Sequence, residues 1–176
     1  YIPSASTVGT IYYYCIITLP SGGCSSITSN TATVTINAGA IITTHPTITQ
    51  NLCVGATIPT PLTVSYSGGS GAVSYQWYSN ITNLNTGGTL IPSATNASYT
   101  PTIFTTTGNY YYYATLSFSG NGCGPISSNP AEILVVSDPI VSSQPLVSQT
   151  LCQGAAPTNL TVVATGGIGT YSYQWF

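Results

Sequence analysis

Apolar and polar residues alternate in short stretches along this chain, and clusters of Gly, Pro, Ser and Asn separate the stretches. No segment holds a helical period, so the pattern predicts strands and turns throughout. Val73, Tyr75 and Trp77 share one face of a strand, with Ser74 and Gln76 on the other, as a half-buried strand requires. Similar runs predict strands at Leu62 to Tyr66, Thr89 to Ile91, Ala97 to Tyr99, Tyr110 to Phe118 and Ile126 to Val136. Ahead of them, Ile41 to Thr49 and Leu52 to Gly55 read as edge pieces, and the Gly68 to Gly71 cluster turns the chain into the Trp77 strand. Pro46 and Pro130 fit edge strands, because proline has no N–H to give to a ladder.

The pattern recurs. Val73-Ser74-Tyr75-Gln76-Trp77 returns as Tyr171-Ser172-Tyr173-Gln174-Trp175, and Cys53 and Cys152, like Gly9 and Gly108, stand 99 positions apart. A period near 98 with about seven short strands predicts an all-β fold of tandem immunoglobulin-like β-sandwich repeats. Residues 1–38 read as the C-terminal half of one repeat, 39–137 as a complete repeat and 138–176 as the N-terminal half of the next, a window on a longer chain. In the complete copy Val64, Tyr75, Trp77, Tyr110 and Tyr112 are expected in the core. Tyr112 should lie opposite Val64, where antibody-like domains carry their inter-sheet disulfide, and Tyr110 is the candidate tyrosine corner. Tyr111 and Tyr113 should point outward as possible interface residues.

Charge narrows the function classes. The 176 residues include no Lys and no Arg, and their only acids are Glu132 and Asp138. Nucleic acid and anionic membrane surfaces lack the basic side chains they need, and calcium lacks its carboxylates. No cofactor and no metal are expected, and no membrane insertion in this segment. Catalysis lacks parts as well: His45 is the sole histidine, the next copy has Gln144 in its place, and no carboxylate neighbours it in sequence. A surface of Ser, Thr, Asn and Gln with a formal charge of −2 should self-associate readily, so fibre formation is expected. Disorder is disfavoured by the 14 tyrosines and the β-branched content.

Five cysteines without zinc-type spacing suggest disulfides and an oxidising, extracellular or cell-surface location. Only the Cys53 and Cys123 types recur, so pairing them within one copy is economical, and closing about 70 residues would stabilise by roughly 4 kcal/mol. Against it, the Cys53 strand piece should end far from the turn that holds Cys123. A bridge between neighbouring domains, or a Cys15 to Cys24 hairpin bridge, stays open.

The strings Leu52-Cys53-Val54-Gly55-Ala56, Gly68-Gly69-Ser70-Gly71, Tyr75-Gln76-Trp77-Tyr78-Ser79-Asn80, Thr86-Gly87-Gly88-Thr89-Leu90-Ile91, Ser98-Tyr99-Thr100-Pro101 and Gly108-Asn109-Tyr110-Tyr111-Tyr112, in that order, carry a resemblance. The chain resembles the tandem immunoglobulin-like repeats of large secreted surface adhesins of Bacteroidetes. That resemblance implies a cell-surface or extracellular protein of attachment or gliding systems, while the missing Lys and Arg depart from ordinary members. The expected role is a structural segment of a fibre or adhesin stalk, with neighbouring repeats as partners. A glycan- or protein-binding module using exposed Tyr residues and the Asn80 to Gly88 loop is the alternative, as is an accessory domain of a secreted enzyme.

Overall fold

A computed structural model describes residues 1–58, 60–120 and 123–176. The strands are β1 (Gly9–Tyr13), β2 (Ile16–Ile17), β3 (Ile27–Thr28), β4 (Ala32–Ile36), β5 (Ile41–Thr44), β6 (Thr49–Cys53), β7 (Leu62–Thr63), β8 (Ser65–Ser67), β9 (Val73–Asn80), β10 (Thr89–Leu90), β11 (Ser98–Tyr99), β12 (Gly108–Phe118), β13 (Ile126–Ser127), β14 (Ala131–Val136), β15 (Ile140–Ser143) and β16 (Val163–Thr165). The described residues contain no helix.

From Ile41 to Val136 the strands make two layers. The larger sheet runs β10-β9-β12-β14-β6, with β13 also on β12. The other layer pairs β5 with β8 and β7 with β11. β7 and β8 follow one path interrupted at Val64, whose N–H donates to Ala97 O at 3.0 Å. The chain changes layer between β5 and β6, at the buried Pro46: β5 lies antiparallel to β8, and β6 then runs parallel to β14. Proline suits that corner because its missing N–H leaves no ladder unmade. The break between β13 and β14 accommodates Pro130 similarly. There the structure departs from the expected edge strand, since β6 covers the free side of β14.

The inner faces of the two layers close on Trp77, Leu62, Leu116, Ile133 and Val135, all fully buried, with Val64 and Tyr112 nearly so. Burying each of these large side chains contributes roughly 1.5–3 kcal/mol. Aromatic rings link the layers: Trp77 lies 5.8 Å from Tyr99, and Tyr99 lies 5.9 Å from Tyr112, centroid to centroid. Tyr75 is half-buried, edge-on to Tyr66 across the same interior.

Strand pairings outside the complete sandwich reproduce those inside it. Gly9 pairs with Ile36 as Gly108 pairs with Val135, each residue displaced by 99. Ile16 pairs with Thr28 as Thr115 pairs with Ser127. On the C-terminal side Ile140 pairs with Thr165 as Ile41 pairs with Ser67, and both pairings carry an irregularity two residues further on. The same local sequences thus make the same local structure in each copy.

Candidate interaction surfaces and junctions

Outer-face chemistry starts from β12, whose alternation sends Tyr110 and Tyr112 inward and Tyr111 and Tyr113 outward. The Tyr110 hydroxyl meets the Thr106 hydroxyl at 2.7 Å and donates to Thr106 O at 3.1 Å, the tyrosine-corner arrangement, in which the phenol ties the strand back to its own approach. Tyr112 fills the core position facing the Val64 strand. Burial raises its phenol above the ordinary value, and the neighbouring Tyr99 and Tyr110 add to the shift.

Tyr111 is half-buried, and its hydroxyl donates to Glu132 Oε1 at 3.2 Å. Tyr113 departs from the expected free interface residue. It is only 4% exposed, stacks on Tyr78 with centroids 5.1 Å apart, and its hydroxyl accepts the Gly88 N–H at 3.1 Å. What covers it is the loop from Asn80 to Gly88. Asn80 Nδ2 donates to the carbonyls of Leu84 and Thr86, and Asn85 Nδ2 reaches Ser128 O, so the loop folds over the outer face of the sheet. Gly88 permits the approach: a Cβ there would lie 2.7 Å from Ser79 O and 2.9 Å from the Tyr113 ring.

His45 and Glu132 each accept one hydrogen bond from a neighbouring element. His45 Nδ1 accepts the N–H of Asn129 at 2.9 Å, tying the end of β5 to the β13–β14 break. The Glu132 carboxylate takes the Tyr111 hydroxyl.

The cysteines do not meet within a copy. Cys53 sits beside Val136, at the Gly108 end of β12, whereas Cys123 lies beyond Phe118 at its other end. The 11 residues of β12 separate them by roughly 30 Å, far more than a disulfide spans. Cys15 and Cys24 are apart too. Cys15 faces Ser29 across the β2–β3 ladder, and Cys24 lies in the turn beyond that ladder. Cys15 occupies the position of Ala114, which is fully buried in the complete copy, whereas Cys15 itself is exposed. All five thiols are free in this structure.

The junctions between copies are made by backbone. Gly69 N–H donates to Ala38 O at 2.9 Å, and at the next junction Gly167 N–H donates to Ser137 O at 2.8 Å. Gly68 and Gly166 precede these donors with φ of +73° and +82°, a conformation that L side chains rarely adopt. Each packs against the linker: a Cβ on Gly68 would strike Gly39 O, and one on Gly166 would lie 2.6 Å from Asp138 O. Asn37 Nδ2 adds a bond to Ser70 Oγ at 3.1 Å at the first junction.

Strand order, the change of layer in the first strand, the tyrosine corner and the buried tryptophan define an immunoglobulin-like β-sandwich. The chain belongs to the family described as "Domain of unknown function (DUF8696)", which matches residues 43–137. Among solved structures, Sidekick-1 immunoglobulin domains 1-4 are similar over 82% of this chain and 38% of that one, at 16% identity and a TM-score of 0.44. No curated protein matches.

Proposed function

We propose that this chain is a structural repeat segment of a long extracellular fibre or adhesin stalk, serving as a spacer or filament body and performing no catalysis. The observation that carries the reading is the twice-made junction: Gly69 to Ala38 and Gly167 to Ser137 are equivalent bonds at successive joints. Joints built alike, on linkers of a few residues, favour a regular rod over freely swinging beads. The nearly uncharged surface supports association of such rods, because no Lys or Arg guards the sheet edges at β10 and β5. It also leaves trypsin no site. The resemblance to large secreted adhesins of Bacteroidetes agrees with this role and with an extracellular location.

Electron microscopy of the parent chain tests the proposal. Regular rods or filaments with one sandwich per period are expected. Compact particles that bind a glycan or a protein saturably through Tyr111 or the Asn80 to Gly88 loop would overturn it in favour of a binding module.

A further inference from the structure

Cys123 faces a cleft between copies. The cleft measures about 440 Å³ and is lined by Ala5, Thr35, Ile36, Asn37, Gly39 and Ser70 as well as Cys123 itself. Two of these residues identify what belongs there. In the complete copy Cys53 lies opposite Val136 on the parallel β6–β14 ladder, and the next residues of its strand continue onto Phe104, whose carbonyl accepts the Gly55 N–H at 2.9 Å. Displaced by one period of 99, Val136 becomes Asn37 and Phe104 becomes Ala5. The cleft is therefore the site at which the copy containing residues 1–38 receives its own β6 strand, and the register puts that strand's cysteine beside Asn37. Cys123 looks into the same space from the following copy. Nearby, Gly120 N–H donates to Ser70 O, and Ser70 Oγ accepts from Asn37 Nδ2.

The geometry points to a disulfide between successive repeats, from the Cys53 position of one copy to the Cys123 position of the next. Both cysteine types recur in the chain, Cys53 with Cys152 and Cys24 with Cys123, so each copy offers one thiol at each end. A ladder of bridges, one per joint, would then lock the rod covalently. Each bridge forms by loss of two protons and two electrons from the two thiols. An exported dithiol oxidase in its disulfide form, or oxidised glutathione in vitro, accepts them and becomes two thiols. The inference rests on the tandem-repeat part of the proposal above and is independent of whether the rods assemble into fibres.

The test is a protein of two consecutive copies of residues 39–137, oxidised with glutathione disulfide. One variant keeps only Cys53 of the first copy and Cys123 of the second, the others being changed to Ser. A second keeps Cys53 and Cys123 of the same copy, and a third keeps Cys123 of the first and Cys53 of the second. Thiol counting under denaturing conditions should find no free thiol in the first variant and two in each of the others, with all three monomeric and equally folded by circular dichroism. Two free thiols in the first variant, a bridge in the second or third, or bridged dimers of the first would each overturn the inference. Imaging of rods would be unaffected by that failure, so the two proposals fail separately.

Discussion

Ser128 Oγ accepts the N–H of Ala114 at 3.0 Å in the closed interior of the sandwich, where both residues are fully buried. The same hydroxyl donates to Asn129 O at 2.9 Å, and Ser128 N–H donates to Ala114 O at 2.8 Å. Ser29 repeats all three bonds with Cys15 and Asn30. One small hydroxyl thus carries the ladder across the break between β13 and β14, and across the same break in the first copy, where Thr31 stands in place of Pro130.

Ser128→Ala should leave the Ala114 N–H buried and unpaired, and lower stability by roughly 1–3 kcal/mol. Urea unfolding of residues 39–137 checks this. A loss below about 0.5 kcal/mol, the range of an ordinary surface substitution, would mean that the bond contributes little.

Trp77 carries both packing and a polar anchor, its Nε1–H donating to Asn96 O at 2.9 Å. Trp77→Ala should cost about 3–5 kcal/mol through the cavity it leaves, a large part of the 5–15 kcal/mol typical of a domain. Trp77→Phe keeps an aromatic plug but strands the Asn96 carbonyl, so its loss should be smaller and still measurable by the same unfolding experiment.

Stability should fall in alkali. Burial raises the phenols of Tyr75, Tyr99 and Tyr112 above the ordinary tyrosine range, most strongly for Tyr112. Above about pH 10 the unfolded chain releases these protons while the folded chain retains them. The folded state's advantage is therefore complete below that pH and is lost as pH rises toward the folded values. Urea midpoints at about pH 9, 10 and 11 should drop progressively, with phenolate absorbance appearing on unfolding. Tyr112→Phe should flatten the drop.

Much of the sandwich was legible because its strands are short and half-buried, so alternation reports the face directly, as at Val73, Tyr75 and Trp77. Tyr110 and Tyr112 followed from the same parity. Tyr113 was not legible: parity gives its face, but its burial depends on a loop held by Asn80, Asn85 and Gly88, contacts without a period. The cysteine relationships also lay outside local pattern. They depend on the first strand changing sheets at Pro46 and running parallel to β14, which carries Cys53 to the far end of the domain. Pro130 marked an interruption in a strand, whereas sequence alone suggested an edge.

The last prediction concerns the joint between copies. Gly68 combines a φ of +73° with contact against the Gly39 carbonyl, whereas Gly87 has a φ of +70° and nothing within 4 Å of a Cβ. Gly68→Ala and Gly87→Ala should share the backbone strain, about 1 kcal/mol for an L residue in that conformation, but only the first pushes on the linker. In a two-copy protein, small-angle scattering should show Gly68→Ala with a broader distribution of end-to-end distances, while Gly87→Ala keeps that of the parent. Melting temperatures should fall by similar amounts in both, since the strain is common and the extra contact lies at the joint outside the core. Equal scattering curves for the two variants would mean that the diglycine turn shapes its own domain without fixing the angle between neighbours, and the rod would then owe its regularity to some other contact.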